Sequence, residues 1–145
     1  MLRVTDFMDR DLLPISPDET CDRALAIMEA AGVDDLPVLE GNRLVGMINE
    51  LDIRRRAPQE VNSLGHAVSQ EDLFPHVRVS GVMTYAPATV RPHGSLAEAA
   101  ALMLEKRIRS LPVIEEGRLV GILTVRTVIN ALVDLLSNHR ASVSG

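Results

Sequence analysis

The residues best equipped for chemistry fall in two stretches that repeat each other. Gly46-Met47-Ile48-Asn49-Glu50-Leu51-Asp52 and Gly121-Ile122-Leu123-Thr124-Val125-Arg126-Thr127 each read as a strand running into a helix. A helix N-terminus carries unpaired N–H groups and positive dipole potential, which makes it a ready anion site. The Thr124 hydroxyl can be shared between capping and a phosphate oxygen. The short Asp52 carboxylate suits the two hydroxyls of a ribose. Both stretches also fit a purely structural use, with Asn49 and Thr124 as N-caps and Asp52 as a first-turn acid. Arg107 and Arg109 flank Ile108 just ahead of the second copy's hairpin. In an extended segment they point to one side, where one or both neutralises phosphate. Gly32 and Asp34 stand at those places in the first copy, so the basic pair is asymmetric. The same arginines also suit a solvated sheet edge that resists further pairing.

Other chemistries find little support. His66, His76, His93 and His139 make no metal-ligand spacing with one another or with Cys21, the single cysteine. No nucleophile elbow, phosphate loop or dinucleotide fingerprint occurs. An enzyme would have to assemble its groups from distant positions, and it is the weakest reading. The net charge of −5 argues against a nucleic-acid partner. No apolar run reaches membrane-spanning length and no signal-peptide pattern opens the chain. With one unpaired cysteine, these features lead us to expect a cytoplasmic protein. Aromatic residues make up only 2% of the chain, so a ligand base must rest on aliphatic side chains and backbone.

The elements that position these groups also come twice. Leu36-Pro37-Val38 matches Leu111-Pro112-Val113, and Leu44-Val45-Gly46-Met47-Ile48 matches Leu119-Val120-Gly121-Ile122-Leu123, each 75 residues apart. Each copy opens with a short turn, Val4-Thr5-Asp6-Phe7-Met8 or Val79-Ser80-Gly81-Val82-Met83, which Thr5 and Ser80 are expected to cap. A short extended piece follows, at 12–16 or 88–91. Apolar spacing then predicts helices over 20–31, stopped at Gly32, and over 95–106, where Ser95 and Glu98 form a capping box. The hairpins and the helices from Asn49 and Thr124 complete each copy. An interior strand glycine implies a bulge or a close backbone approach, and both copies have one. We expect a first repeat over 1–60, a linker over 61–78 and a second repeat over 79–137. A flexible tail over 138–145 completes one compact module. Leu96, Ala100 and Leu104 widen the apolar surface of the 95–106 helix, which predicts a second burial against a partner, in a homodimer.

These paired motifs resemble the cystathionine-beta-synthase (CBS) domain pair, or Bateman module, over residues 1 to 136. The resemblance implies an α/β (α+β) fold of tandem β-α-β-β-α repeats with pseudo-two-fold symmetry. It implies a regulatory, non-catalytic role with no obligatory cofactor, and AMP, ADP, ATP or S-adenosylmethionine as an effector in a cleft between repeats. The family pattern is Gly-x-x-(Ser/Thr)-x-x-Asp, with the hydroxyl toward phosphate and the carboxylate toward ribose. Here it is split: the first copy keeps Asp52 but has Asn49, and the second keeps Thr124 but has Thr127. The resemblance therefore implies one ligand near Asp52, its base lined by Leu13 to Ile15, its phosphate approached by Arg107 or Arg109. A protein-interaction module with decayed ligand sites, serving a regulated protein, is the alternative.

Overall fold

The computed structural model describes residues 1–56 and 63–144, with side chains through Asn138. Backbone contacts divide the chain into two compact units that cut across the sequence repeats, where one body was expected. The first is Leu13–Pro87, and the second joins Met1–Leu12 to Ala88–Gly145. The opening turn of each copy thus belongs to the unit built on the other copy's hairpin.

In the first unit, α1 (Cys21–Ala31) precedes β1 (Asp35–Glu40), β2 (Arg43–Asn49) and α2 (Glu50–Arg56). Then come a single helical turn, α3 (Gln70–Leu73), and β3 (Thr84–Tyr85). The sheet is antiparallel in the order β1-β2-β3, and Ile15 adds one parallel bridge to Val38. The second unit repeats the plan with α4 (Leu96–Lys106), β4 (Ser110–Glu115), β5 (Arg118–Thr124) and α5 (Val125–Ser144). There Val90 bridges Val113, and Asp9 bridges Ile122.

The cores superpose on the repeat. Cys21, Ala24, Met28, Leu36, Val38 and Ile48 are buried in the first unit. Leu96, Ala99, Met103, Leu111, Val113 and Leu123, each 75 positions on, are buried in the second. Burying such side chains is the main drive to fold, at about 1.5–3 kcal/mol for each large one. Helix spacing explains the set: Cys21, Ala24 and Met28 lie on one face of α1, as Leu96, Ala99 and Met103 do on α4.

The interior glycines combine both expected features. Pairing slips between Val38 and Leu39, and between Val113 and Ile114, so Val45 and Val120 are extra residues in a bulge. Beside each bulge the backbone is tightly covered. A Cβ on Gly46 would lie 2.8 Å from both Met83 Sδ and the Thr84 carbonyl oxygen. One on Gly121 would lie 2.6 Å from Met8 Sδ and 3.0 Å from the Asp9 carbonyl oxygen. The opening turns therefore place a methionine over a strand that has no room for a side chain.

Four local expectations need correction. Thr5 and Ser80 lie inside 3-10 turns that start one residue earlier, at Val4 and Val79, so neither is the cap. Instead the Thr5 hydroxyl accepts from Arg10 Nη2 at 2.8 Å. Helix α5 continues to Ser144, beyond the point where its sequence loses periodicity. The stretch between the copies, where Val61, Leu64 and Val68 suggested a helical turn, has its helix at Gln70–Leu73. There the Ser69 hydroxyl accepts from the Asp72 N–H at 3.2 Å. Val61 lies outside the described residues. Leu73, Phe74 and Val77 from this stretch are buried in the first unit, a contribution the second unit lacks.

Candidate functional site

Asn49 is the last residue of β2 and caps α2. Its Oδ1 accepts from the Asp52 N–H at 2.7 Å, and its Nδ2 donates to Asp52 Oδ2 at 3.1 Å. The Asp52 side chain is 21% exposed, and its Oδ1 lies 3.6 Å from Arg56 Nε. The replacement of Ser/Thr by Asn49 has a visible consequence here. The amide grips the carboxylate from one side, and the guanidinium one helical turn later holds it from the other. The carboxylate is thereby oriented and still open to solvent on one edge.

The matching corner of the second unit is built differently. Thr124 ends β5 and caps α5, its Oγ1 accepting from the Thr127 N–H at 3.2 Å. The Thr127 hydroxyl accepts from the Thr124 N–H at 2.9 Å and donates to the Thr124 carbonyl at 2.8 Å. Thr127, which stands where Asp52 stands, is thus a reciprocal cap. A threonine partner lies outside the acidic or amide capping-box pattern, so the sequence does not announce this cap. No carboxylate remains at this corner to take a ribose.

The other predicted residues fall as follows. Ile15 is 4% exposed and packs in the core of the first unit. Leu13 is 41% exposed. Arg107 is not extended. It is the left-handed C-cap of α4, φ 56° and ψ 42°, where the first unit uses Gly32 at φ 67°. Arg107 and Arg109 therefore do not alternate along one strand, because β4 begins only at Ser110. Both are exposed, and the Arg109 carbonyl accepts from the Val125 N–H at 3.0 Å, tying the segment to the start of α5. Leu13, Ile15, Asn49 and Asp52 belong to the first unit, and Arg107, Arg109 and Thr124 to the second.

A cleft of about 550 Å³ opens elsewhere in the first unit, lined by Asp18, Glu40, Arg43, Val45, Met83 and Tyr85 among others. It sits toward the β1–β2 turn, with Val45 to Arg43 about 13–20 Å along β2 from Asn49 at ~3.3 Å per residue. No predicted site residue lines it. Tyr85, the only tyrosine, is 62% exposed there and donates its hydroxyl to the Ser80 carbonyl at 2.7 Å. The cleft's distance from Asp52 leaves the helix-start corners as the better candidates for the repeated motif's chemistry.

The thiol of Cys21 is fully buried and donates to the Arg78 carbonyl at 3.7 Å. Burial, helped by the neighbouring Asp22 carboxylate, pushes its pKa up to about 11. Such a thiol is a poor nucleophile at neutral pH. Among the described residues no three His, Cys, Asp or Glu side chains gather to hold a metal ion. Among those residues, too, no helix is long and apolar enough to cross a membrane.

The model of the CBS domain family matches residues 4–58 and 79–134. The chain belongs to the CBS-domain family. It is 31% identical to the CBS domain-containing protein YhcV of Bacillus subtilis, over 99% of this chain and 90% of that one. The structure of CBSX2 of Arabidopsis thaliana in complex with AMP is 31% identical, with a TM-score of 0.76. That likeness covers 92% of this chain and 98% of CBSX2. An inosine-5'-monophosphate dehydrogenase of Korarchaeum cryptofilum is 30% identical over 87% of this chain, but the chain spans only 23% of that enzyme. The tandem α/β repeats are those of the CBS pair.

Proposed function

We propose that this chain is a non-catalytic regulatory module that binds one adenosine nucleotide through Asp52. The observation that carries the reading is the oriented, part-exposed Asp52 carboxylate at the end of the Gly46-to-Asp52 motif, against a fully used Thr127 at the equivalent place. A carboxylate of this kind matches a ribose diol. Within the same unit Leu13 supplies an aliphatic surface for the base. The AMP complex of CBSX2 supports the ligand class. A bound nucleotide regulates by stabilising whichever arrangement binds it more tightly. The buried, weakly acidic Cys21 suits the reducing cytoplasm included in this reading, and the module acts as a homodimer.

The second reading is an interaction module whose nucleotide sites have lapsed. The Thr124–Thr127 cap favours it, since it replaces a ligand carboxylate by a purely structural bond. Calorimetry on nucleotide-stripped protein with AMP, ADP, ATP and S-adenosylmethionine separates the two. Saturable binding of one ligand per chain, weakened at least tenfold in Asp52→Ala, is the expected result. A flat response to the whole panel would leave the interaction module standing.

A further inference from the structure

The guanidinium one turn beyond Asp52 has two partners. Arg56 ends α2, and its Nε lies 3.6 Å from Asp52 Oδ1. Its Nη1 donates to the Val82 carbonyl at 3.5 Å, in the opening turn of the second copy, 26 positions along the chain. A surface arginine with one carboxylate partner keeps much of its rotamer freedom. A second, distant acceptor restricts that freedom and fixes where the planar fork stands. The turn that supplies this acceptor is itself anchored, with Val79 and Val82 buried in the first unit's core.

The arrangement leaves Asp52 with a defined open edge. A carboxylate offers about four acceptor sites over its two oxygens. Asn49 Nδ2 occupies one on Oδ2, at 3.1 Å, and Arg56 faces one on Oδ1. Each oxygen keeps a free site, which matches the two hydroxyls of one diol. The two donors also fix the plane of the carboxylate, so the free sites hold one direction. The second unit supplies the contrast. Thr127 stands in place of Asp52, and Ala131, 2% exposed in that unit's core, stands in place of Arg56. Phe7, the equivalent of Val82, packs its side chain against that core. The acid and its guanidinium are thus present together in one copy and absent together in the other.

We infer that Arg56 is a positioning residue for the nucleotide. It holds the Asp52 carboxylate with its diol-binding edge open, braced on the Val82 carbonyl, and makes no contact with the ligand. This inference rests on the proposed ribose contact at Asp52 and specifies how that contact is set.

Calorimetry on nucleotide-stripped protein tests it, with AMP titrated directly and 2′-deoxy-AMP read by displacement of bound AMP. Both probes carry the phosphate, and only AMP carries the diol. The proteins are wild type, Arg56→Ala, Asp52→Ala and Arg54→Ala, each checked for folding by circular dichroism. Arg54 is the control on the same helix: it pairs with Glu50 at 3.1 Å, lies over the Phe74 ring, and is 47% exposed against 53% for Arg56. Wild type should prefer AMP by about tenfold or more, the worth of a hydrogen bond to a charged group. Arg56→Ala should weaken AMP about fivefold or more and change 2′-deoxy-AMP by less than about twofold, so that the preference collapses. Arg54→Ala should leave both constants within about twofold of wild type. An equal loss for the two nucleotides in Arg56→Ala overturns the inference, because it makes the arginine a phosphate ligand or a general support. A matching collapse in Arg54→Ala overturns it too, since any loosening of α2 would then suffice. Unchanged AMP affinity in Arg56→Ala, with the preference lost in Asp52→Ala, overturns this inference and leaves the nucleotide reading standing. Wild-type protein that binds no AMP or shows no preference, or an Asp52→Ala that keeps both affinity and preference, overturns the two together.

Discussion

The unit around Asp52 and the unit around Thr124 solve one packing problem with the same residue positions, then diverge at the helix start. Leu36, Val38 and Ile48 in one, and Leu111, Val113 and Leu123 in the other, are all fully buried. At the helix start, one unit holds a carboxylate between an amide and a guanidinium. The other closes the same corner with two threonine hydroxyls. The difference teaches that the repeated framework is indifferent to ligand chemistry: either corner caps its helix. The acid present at one corner only is held by Asn49 and Arg56, and the proposed ligand role is a further use for it.

The comparison can be strained from several sides. The largest effect should come from Phe74, buried at 2% in the first unit, because the second unit has no counterpart for it. Phe74→Ala should lower stability by about 3–5 kcal/mol in urea denaturation. Hydrogen exchange in that variant should rise first within 13–87. Cys21 is also particular to that unit, with Leu96 in its place in the other. The folded thiol, at about 11, sits above its usual 9.0. The unfolded chain thus loses this proton first as pH rises. Stability should hold below pH 9 and fall between pH 9 and 11, by about 1.4 kcal/mol per pH unit, then level off. Cys21→Ala should remove that part of the decline when unfolding is followed against pH.

The glycines make a like-for-like pair. Gly46→Ala and Gly121→Ala should each cost about 1–3 kcal/mol by overpacking. Gly46→Ala should cost more, because its obstruction includes a backbone oxygen at 2.8 Å rather than 3.0 Å. A lower thermal midpoint for Gly121→Ala would argue instead that the methionines set the cost, since its Cβ would lie 2.6 Å from Met8 Sδ against 2.8 Å from Met83 Sδ at Gly46. The smallest effect has the opposite sign. Arg107 holds a left-handed conformation that its counterpart fills with glycine. Arg107→Gly should raise stability by about 0.5–1 kcal/mol, read as a higher thermal midpoint.

Much of the fold was legible because periodicity and repetition report the same residues. The Leu-Pro-Val strands, the strand glycines, the Ser95 cap and the Gly32 stop all rest on local rules that the packing obeys. The exchange of opening turns between units was not legible, because nothing local to Met8 or Met83 says which strand it will cover. The buried Phe74 was hidden in a stretch with no counterpart to align it. At the site, Asn49, Asp52 and Thr124 were readable as helix starts. Arg107 was misplaced because alternation of side chains assumes an extended backbone, and the residue is a helix cap instead. Ile15 bridges Val38 and is buried in the first unit's core, which no local pattern around it announces. The role of Thr127 needed coordinates, since a threonine cap partner follows no common sequence rule.

The central claim is that nucleotide recognition depends on the acid kept at one corner and lost at the other. An AMP titration by calorimetry, run in parallel on wild type, Asp52→Ala and Thr127→Asp, tests it most directly. The account predicts one AMP per wild-type chain and at least tenfold weaker binding in Asp52→Ala. It predicts a second AMP per chain in Thr127→Asp, where the carboxylate is restored beside Thr124. Unchanged affinity in Asp52→Ala, or no binding by folded wild-type protein, would contradict it.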